Sequence, residues 1–584
     1  MAKPTKSGVD KKSAGPGIFS VLKPYKSRIL LLVFLAFLGN GVNLILPKII
    51  ASAIDSYPSN YILSKVMFSY IGASLVVFVF TWMQGIVQVY ASEKVARDLR
   101  TTLSQKISRQ SSVYIEASNP SKLLTNLTSD VDSIKMFVSQ AIVSIASSVF
   151  IIIGACILLF ITNWKLAFSV IAIIPIIGGA FAFVLKKVRP LFIKNRQVID
   201  RLNKVINESI MAAAIIRVIN SQQPEYVKFV DANTQSKNLG MQVLKMFATL
   251  IPVIIFTANL GGLAILTFGG RFVISDTMTL GDFAAFNSYL SMLIFPILVI
   301  GFMSGMIAQA SASHVRITGL LHEPDPVDTS TIKQLLKGNV NVQNISMVYG
   351  EKTALTGISF SVPAGSSLAV IGPTAAGKTQ LLYLLTGLLK PTDGRVSYDG
   401  ADIEAYDKEN FYSQVGFVFQ DSILFNMSIR ENIAFNKTAT DESLQKAIAT
   451  AELKDFIENL PDKLDTIVSE RGTSLSGGQK QRLMLARALA NNPRVLLLDD
   501  FTARVDTNTE TRILSNLQRN YPGITLISVT QKIATAASFD QIIVLMQGEI
   551  VARGIHETLL KESPEYVQIF NSQQSISNYE VQSQ

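Results

Sequence analysis

The segment GPTAAGKT, residues 372–379, combines two glycines with a lysine and a threonine at a spacing suited to phosphate chemistry. An apolar strand-like run, SLAVIG, leads into it, and an apolar helix-like run, QLLYLL, follows it. Glycines allow backbone N–H groups to curl around phosphate oxygens, and a helix that starts there adds the positive end of its dipole. Lys378 is placed to reach the β- and γ-phosphates of a nucleotide, and the Thr379 hydroxyl to bind Mg²⁺. The segment therefore predicts a loop that holds a magnesium nucleotide.

A second chemical feature is the acidic pair Asp499 and Asp500, which follows the apolar run VLLL. A buried strand that ends in carboxylates can supply the oxygen ligands that Mg²⁺ requires. Asp500 stands where a general base is expected to be a glutamate, and its carboxylate sits back by about 1.5 Å, roughly one bond length. A base must lie within hydrogen-bond reach of the attacking water, and losing it typically costs about 10²- to 10⁴-fold in rate. The pair predicts a metal ligand at Asp499 and a weak base position at Asp500.

The segment LSGGQ, residues 475–479, precedes a helix-like run and lies shortly before the acidic pair. The first turn of such a helix could present the Ser476 hydroxyl and backbone amides to a phosphate. The short spacing to the acidic strand places this helix beside the sheet. The second group of candidate phosphate ligands is therefore Ser476, Gly477, Gly478 and Gln479.

Strand-like and helix-like patterns alternate around these motifs, in the order VNVQNISMVY, GISFSVP, SLAVIG and QLLYLLTGLL. This alternation predicts an α/β domain. A stretch rich in Pro, Asp and Thr, LLHEPDPVDTSTIKQLLKG, marks a boundary before it. We expect a transmembrane domain over residues 1–320, a linker over 321–338 and a nucleotide-binding domain over 339–584.

The residues before this boundary are unusually apolar. The chain of 584 residues is 48% hydrophobic and 16% charged, which is too apolar for an ordinary soluble protein. Six stretches are near the roughly 20 residues that a membrane-spanning helix needs. They are 29–54, 65–91, 137–161, 165–188, 246–274 and 281–312. The fold class is therefore an α-helical six-span membrane domain followed by an α/β nucleotide-binding domain.

Lys and Arg are distributed unevenly around the six stretches. Residues 1–28 and 92–136 hold seven each and residues 186–245 hold eleven, whereas the short gaps after the odd-numbered stretches hold few. The positive-inside rule places the N-terminus, the long gaps and the C-terminal domain in the cytoplasm. Apolar residues at helical spacing in 199–206 predict that the helices extend beyond the membrane.

These basic loops account for the net charge of +10, and no basic motif with interleaved aromatics predicts nucleic-acid binding. Residues 1–28 are polar and basic and show no cleavable signal peptide. The single cysteine, Cys156, lies within an apolar run and predicts neither a disulfide framework nor a cysteine metal site.

The sequence closely resembles the ATP-binding cassette (ABC) family, and the resemblance covers nearly the whole chain. It is carried by GPTAAGKT as the Walker A loop, by LSGGQ as the signature and by the acidic strand that follows as Walker B. Tyr349, in ISMVYG, matches the aromatic residue that stacks on adenine, and Gln420, in VGFVFQDSILF, matches the Q-loop. TIVSERG, residues 466–472, is similar to the cross-domain contact segment of ABC exporters. Six spans followed by one cassette resemble an exporter half-transporter, with short coupling helices expected near 110–117 and 211–218.

The resemblance implies an integral membrane ATPase of a bacterial inner or plasma membrane, with ATP and Mg²⁺ as cofactors. Two cassettes meet head to tail in the family, and each site takes LSGGQ from the opposite chain. The implied magnesium ligands are Thr379, Gln420 and Asp499. The implied nucleotide contacts on this chain are Tyr349, Gly372, Thr374, Ala375, Ala376, Gly377, Lys378, Thr379, Gln380 and Ser476 to Gln479.

The sequence departs from the family pattern around the γ-phosphate. Asp500 replaces the usual glutamate, and Gln531, in TLISVTQKIATA, stands at the position of the switch histidine. The loop usually read as Ser-Ala-Leu-Asp is Ala503-Arg504-Val505-Asp506. The chain therefore resembles the degenerate-site subunit of heterodimeric bacterial exporters. Its catalytic positions are Asp500, Gln531 and Gln420, and its intact LSGGQ would complete the active site of a second half-transporter subunit.

Charged residues are scarce inside the six spans, whereas amides and aromatics are present, which favours apolar or amphipathic cargo such as drugs, lipids or peptides. The same amides could instead hydrogen-bond between helices. Two other functions stay open: a homodimeric exporter with two slow sites, and an ATP-gated channel or regulator that does not transport. Membrane lipids and small-molecule or lipid-like cargo are the expected further partners.

Overall fold

A computed structural model of the chain describes residues 22–60, 63–326, 330–350, 352–435, 439–468 and 475–582. The chain divides into two compact units. The first contains the chain up to Arg109 together with Ser118–Asp325, and the second contains Gln110–Ala117 together with Pro326–Gln584. Each unit has its own hydrophobic core.

Six helical stretches in the described part of the chain are long and apolar enough to cross a membrane, which confirms the predicted six-span domain. They are Lys23–Tyr57, Leu63–Arg109, Pro120–Thr162, Trp164–Met211, Gln222–Ile274 and Leu280–Leu321. The second has 47 residues. At 1.5 Å per residue such a helix is about 70 Å long, more than twice the roughly 30 Å thickness of the bilayer hydrocarbon. The helices therefore continue well beyond the apolar windows that the sequence marks.

Several of these stretches are interrupted by breaks or by π turns, which insert a residue into the helical turn and shift the apolar face. The π turns are Asn126–Asp130, Phe137–Ala141 and Ile265–Gly269. The long α-helices are Lys26–Asn60, Leu63–Arg109, Ile142–Thr162, Ile173–Met211, Gln222–Ala264 and Leu280–Leu321. The short helices are Lys23–Tyr25, Ser112–Ala117, Pro120–Thr125, Val131–Met136, Trp164–Ile171, Ala213–Val218 and Gly270–Ile274.

Polar contacts fix the register of helices in the first unit. Tyr289 is fully buried, and its hydroxyl donates to the Leu44 carbonyl oxygen at 3.0 Å. The buried Asp130 accepts hydrogen bonds from Ser313 and Arg316 of the last long helix. Because a buried polar group without a partner is costly, each pairing favours one alignment of the helices.

The second unit is built on two sheets. The strands are β1 Val340–Tyr349, β2 Lys352–Val362, β3 Ser367–Ile371, β4 Asp393–Tyr398, β5 Ala401–Asp402, β6 Val415–Val418, β7 Val495–Asp499, β8 Thr525–Val529, β9 Gln541–Met546 and β10 Glu549–Gly554. An antiparallel sheet has the order β2-β1-β4-β5, and a six-stranded sheet has the order β10-β9-β3-β8-β7-β6. In the larger sheet β9, β3, β8, β7 and β6 pair in parallel.

Helices pack against the larger sheet, which confirms the predicted α/β class. One core joins the two sheets and includes Leu381 and Leu385 of the helix after β3. A second core contains Leu483 and Leu489 of the helix after LSGGQ. The helices are Lys378–Leu385, Ile403–Ala405, Lys408–Gln414, Ile429–Ile433, Asp441–Thr450, Lys454–Glu458, Lys463–Asp465, Gly477–Leu489, Thr507–Asn520, Ile533–Ala536, His556–Glu562 and Pro564–Gln582.

Candidate nucleotide-binding site

The predicted site residues follow the carboxyl ends of neighbouring parallel strands. The GPTAAGKT loop follows β3, Gln420 follows β6, Asp499 ends β7 and Gln531 follows β8. Val370 and Asp499 both pair with Val529, and Leu498 pairs with Val418. Because these strands run in parallel, their ends meet at one edge of the sheet. This edge of the larger sheet therefore brings together residues that are far apart in the sequence, namely 372–379, 420, 499–500 and 531.

The GPTAAGKT loop needs its glycines for steric reasons. Gly372 has φ +153° and Gly377 has φ +98°, backbone conformations that side chains rarely adopt. A Cβ at Gly372 would lie 2.0 Å from the Leu545 carbonyl oxygen, and one at Gly377 would lie 2.8 Å from the Ala354 carbonyl oxygen. Thr374 and Ala375 are exposed, whereas Ala376 is buried. The loop therefore presents its outer turn to solvent while its two ends are held against neighbouring backbone.

Lys378 begins the helix that follows this loop and is 7% exposed. Its Nζ donates to the carbonyl oxygens of Gly372 and Pro373, both at 2.8 Å. Burial lowers the pKa of Lys378, and the nearby charges of Asp500 and Asp499 act in the opposite direction. The lysine thus places its ammonium group inside the loop, where phosphate oxygens could replace the carbonyl partners.

Thr379 and Asp499 form a pair of oxygen ligands suited to Mg²⁺. The Thr379 Oγ1 donates to Asp499 Oδ1 at 3.4 Å. Asp499 is 1% exposed, and its Oδ2 has no hydrogen-bond partner among the described residues. Burial raises the pKa of Asp499, and a cation would favour its charged form instead. A hydroxyl beside a buried carboxylate with an unused oxygen fits a hard divalent cation.

Asp500 and Gln531 contact each other directly. Gln531 Nε2 donates to Asp500 Oδ2 at 3.0 Å, and the Asp500 N–H donates to the Val529 carbonyl oxygen at 3.0 Å. Asp500 is 7% exposed and has φ +46°. Burial raises its pKa, and the hydrogen bond from Gln531 lowers it in part. The two positions that sequence comparison placed around one γ-phosphate therefore lie within hydrogen-bond distance.

The remaining predicted nucleotide contacts lie on more open positions. Tyr349 ends β1, is 45% exposed and pairs with Lys352 in the β1–β2 ladder. Gln420 follows β6 and is exposed, and Gln380 is half-buried in the first turn after the loop. Their accessibility is compatible with contacts to adenine, magnesium and phosphate.

The LSGGQ segment forms a well-defined helix start. The Gln479 N–H donates to the Ser476 Oγ at 3.2 Å, and the Ser476 N–H donates to the Gln479 Oε1 at 2.8 Å. This reciprocal arrangement satisfies donors that the first helical turn leaves free. A Cβ at Gly478 would lie 2.8 Å from the Arg504 carbonyl oxygen, so the glycine allows close approach. Of the predicted cross-domain segment 466–472, residues 469–472 lie outside the described part of the chain.

A cavity of about 470 Å³ opens in front of this helix start. Its lining contains Ser476–Gln479, Arg482 and Arg504–Asp506. The guanidinium groups of Arg482 and Arg504 and the helix N-terminus favour a phosphate group in this cavity, and the Asp506 carboxylate in the same lining opposes them in part. The cavity is therefore well suited to contact a nucleotide bound by an opposite chain.

The sequence patterns did not identify Lys532, which connects the loop after β8 to the loop after β7. Its Nζ donates to the carbonyl oxygens of Thr502 and Val505 at 3.1 and 3.2 Å. The same Nζ pairs with Glu510 at 2.8 Å, and Glu510 is 2% exposed. Its position next to Gln531 was the one feature of the sequence that could have drawn attention to Lys532. No sequence pattern pairs Lys532 with Glu510.

The chain matches two protein families along its length. Residues 29–297 match the ABC transporter transmembrane region, and residues 355–503 match the ABC transporter family. The chain is 31% identical over 564 residues to "Uncharacterized ABC transporter ATP-binding protein YfiB" of Bacillus subtilis (strain 168), covering 95% of this chain and 98% of that protein.

Two further relatives have more informative names. "ATP-dependent lipid A-core flippase" of Syntrophus aciditrophicus (strain SB) is 30% identical over 84% of this chain and 83% of its own length. "Probable multidrug resistance ABC transporter ATP-binding/permease protein YheI" of Bacillus subtilis (strain 168) is 28% identical over 95% of this chain and 98% of its own length.

A solved structure described as a bacterial Atm1-family ABC exporter with ATP bound is similar in fold. The TM-score is 0.79 at 24% identity, over 95% of this chain and 99% of that chain. The fused membrane and ATPase units, the two family matches and the full-length relatives agree on one family. The chain belongs to the ABC transporter family, as an integral membrane half-transporter of the exporter type whose ATPase domain uses MgATP.

Proposed function

We propose that this chain is the slowly hydrolysing subunit of a two-chain exporter. Its own Walker site, formed by the GPTAAGKT loop, Asp499, Asp500, Gln420 and Gln531, binds MgATP and turns it over slowly. Its LSGGQ segment completes the fast site of a second, different chain. The observation that carries the proposal is the Gln531 Nε2–Asp500 Oδ2 contact of 3.0 Å.

This contact bears on catalysis in two ways. A general base must reach the attacking water, and the Asp500 carboxylate is one methylene shorter than the glutamate that the family uses. One of its oxygens also accepts a hydrogen bond from Gln531, and an amide cannot become cationic as a histidine can. Both features lower the expected rate of hydrolysis, and neither removes the groups that hold the nucleotide.

The nucleotide-holding groups support MgATP binding at the same site. Lys378, Thr379 and Asp499 keep the residue types, burial and mutual contacts described above. In the proposed site, magnesium is held by Thr379, Asp499 and Gln420, and adenine stacks on Tyr349. Bound Mg²⁺ would supply charge neutralisation of the phosphates, while the residues of this chain orient the nucleotide.

The proposed domain boundaries follow from the same assignment. The membrane domain is 1–320, the linker is 321–338 and the nucleotide-binding domain is 339–584.

Exposed apolar side chains support the need for a second chain. The short helix Ala213–Val218 has no buried residue, and Val218 is 86% exposed. Ile215 and Ile219 beside it are also exposed. Apolar groups in a cytoplasmic segment gain free energy when a partner covers them. The resemblance to the family predicts the second coupling helix near 211–218, and we propose that this short helix has that role.

The intact helix start at LSGGQ supports a fast site elsewhere. Its capping contacts, its two glycines and the cavity in front of them are suited to a phosphate from an opposite chain. A partner with a Walker B glutamate and a switch histidine would supply the residues that this chain lacks. The proposed cargo is apolar or amphipathic, which agrees with the lipid and multidrug terms in the names of two relatives.

The proposal is tested by ATPase rates in lipid for this chain alone, for this chain with its candidate partner, and for the pair carrying a glutamate-to-glutamine change in the partner's Walker B motif. We expect little turnover from the chain alone, turnover by the pair, and its loss on the partner change. Exporter-like rates from this chain alone would overturn the proposal and favour a homodimer. An active pair that keeps its rate after the partner change would also overturn it.

A further inference from the structure

The C-terminal helix Pro564–Gln582 is fixed against the sheet that carries the Walker site. Tyr566 is fully buried in a cluster that includes Ile371, the last residue of β3, and Ile533, which follows the switch position. The Tyr566 hydroxyl also lies 2.6 Å from His556 Nδ1. Ile569 and Phe570 pack on the same cluster. The first half of this helix therefore has a defined position relative to the end of β3.

One turn further along, Gln573 reaches the backbone of the switch segment, residues 530–533. Its Oε1 accepts a hydrogen bond from the Ile533 N–H at 2.9 Å, and its Nε2 donates to the Gln531 carbonyl oxygen at 2.5 Å. The side-chain amide thus matches one backbone donor and one backbone acceptor that flank Lys532. Such a two-point contact restricts the segment more than a single hydrogen bond, because both bonds require the same backbone orientation.

The switch segment is also held on its other sides. The Gln531 side chain donates to Asp500, and Lys532 Nζ donates to the loop after Asp500 and pairs with Glu510. Thr530 is 1% exposed, and its hydroxyl accepts from the Lys532 N–H at 3.1 Å. The segment therefore has contacts to several different elements. Gln573 supplies backbone contacts among these, and it comes from the part of the domain that sequence motifs do not cover.

We propose that Gln573 is a positioning residue, which holds the switch segment so that the Gln531 amide stays on the Asp500 carboxylate at this chain's Walker site. Because Gln531 stands at the position that reads the γ-phosphate, Gln573 sets how strongly the site prefers ATP to ADP. The inference rests on the proposed role of Gln531 in this chain's own site. It assigns to the C-terminal helix control over nucleotide discrimination, in addition to its packing role.

The variants separate the two halves of the contact. Gln573→Ala removes both hydrogen bonds. Gln573→Glu has nearly the same size and keeps an acceptor for the Ile533 N–H, but it places a carboxylate oxygen against the Gln531 carbonyl oxygen. The matched control is Gln574→Ala, since Gln574 is the next residue of the same helix, has the same side chain and is exposed. A positioning role requires that Gln573→Ala and Gln573→Glu both change the site, and that Gln574→Ala does not.

The experiment uses the full-length chain in lipid and measures two quantities. Amide hydrogen exchange of residues 530–536 reports the contact, and the ratio of the dissociation constants for MgADP and a magnesium-bound non-hydrolysable ATP analogue reports discrimination. Loss of the hydrogen bond from the Ile533 N–H to Gln573 Oε1 predicts roughly two- to tenfold faster exchange at Ile533 in Gln573→Ala. We expect the ratio to fall by a similar factor in both Gln573 variants, with the melting temperature close to that of the control.

Two results would overturn the inference. Unchanged exchange in Gln573→Ala would mean that the contact does not hold the segment in solution. Faster exchange with an unchanged ratio in both variants would reduce Gln573 to a structural contact. Failure of the proposed function is distinguishable, because it appears as fast ATP turnover by the unmodified chain, whatever the Gln573 variants do.

Discussion

Asp500 combines a buried carboxylate with a left-handed backbone and a direct contact to Gln531. A base in this position has to be ionised, has to point at the reacting water and has to accept a proton. Burial raises the pKa of Asp500 and thus favours proton uptake, while its short side chain limits its reach. Substitutions at positions 500 and 531 can therefore test two properties, the reach of the carboxylate and the nature of the side chain that contacts it.

A double substitution, Asp500→Glu with Gln531→His, is expected to speed hydrolysis at this chain's own site. Glutamate extends the carboxylate by one methylene, and histidine restores a side chain that can become cationic. We expect turnover at this site to rise by about 10²-fold or more, the lower end of the usual contribution of a general base. The measurement is the ATPase rate in lipid of the full-length chain that carries both substitutions, compared with the rate of the unmodified chain.

Asp500→Asn is the control for this prediction, because it removes the carboxylate and nearly preserves its shape. It should leave the low basal rate within a few-fold if Asp500 contributes little as a base. A large loss in Asp500→Asn would show that Asp500 is already an effective base, and no gain in the double variant would show that other groups limit the rate.

At the scale of elements, the strand-end motifs could be predicted because each is a local pattern. The β3 strand with its glycine loop and the buried β7 strand with its carboxylates are visible in short windows of sequence. The Asp500–Gln531 contact follows from β7 and β8 being neighbours, which no local pattern reveals. The Gln573 contact joins a side chain to backbone 40 residues away, and a polar residue in a C-terminal helix carries no signal of it.

The membrane helices show the same division between local and long-range information. Their number follows from apolar length, and the six stretches were predicted on that basis. The π turn at Asn126–Asp130 was not predicted, because one inserted residue changes periodicity only slightly. Nor was the pairing of the buried Asp130 with the exposed Arg316 of the last helix, which joins residues 186 positions apart.

One element-scale contact predicts pH-dependent stability. Asp399, at the β4–β5 turn, accepts hydrogen bonds from the N–H groups of Lys337 and Asn339 at 2.7 and 3.0 Å and from Asn339 Nδ2 at 2.9 Å. Burial raises its pKa, but these hydrogen bonds outweigh burial and lower it overall. The pKa of the Asp399 carboxyl is lower in the folded state than in the unfolded state, where it is about 4. The stabilisation is therefore present above the unfolded pKa and is lost as pH falls through the folded pKa.

Asp399→Asn should therefore destabilise the protein by about 1 to 3 kcal/mol at neutral pH, the range for hydrogen bonds to charged groups. Asparagine tolerates the positive φ of +47° at this position, so backbone strain does not confuse the result. The measurement is the melting temperature of the full-length protein against pH. The deficit should be constant from about pH 8 to about pH 5 and shrink below about pH 4. The exposed Asp462→Asn is the control, and an equal pH profile in both variants would refute the assignment.

At the scale of the whole molecule, the proposed roles of this chain are asymmetric. In this proposal its LSGGQ segment serves the fast site, and its Walker loop serves the slow one. Two substitutions in the same chain should therefore differ in effect on the two-chain complex. The Gly478→Asp variant introduces a Cβ that would lie 2.8 Å from the Arg504 carbonyl oxygen, and it adds negative charge where the proposed site faces a phosphate. Lys378→Ala removes the ammonium group that is proposed to contact the nucleotide of the slow site, together with its hydrogen bonds to the loop carbonyls of Gly372 and Pro373.

We expect Gly478→Asp to reduce the ATPase rate of the complex by about 10²-fold or more, as for loss of a transition-state contact. Lys378→Ala should weaken nucleotide binding to this chain and leave a larger fraction of turnover. The comparison uses steady-state rates at saturating ATP. Equal losses from both substitutions would indicate two equivalent sites.

The most direct test of the central claim asks which chain carries the hydrolysed nucleotide. The assembled two-chain complex is incubated with a radioactive, photoreactive azido-ATP and vanadate, which traps ADP at the site that turns over, and is then cross-linked. The account predicts label on the partner chain after trapping, and label on both chains when nucleotide is bound without turnover. Vanadate-trapped label on this chain, at the level found on the partner, would contradict it.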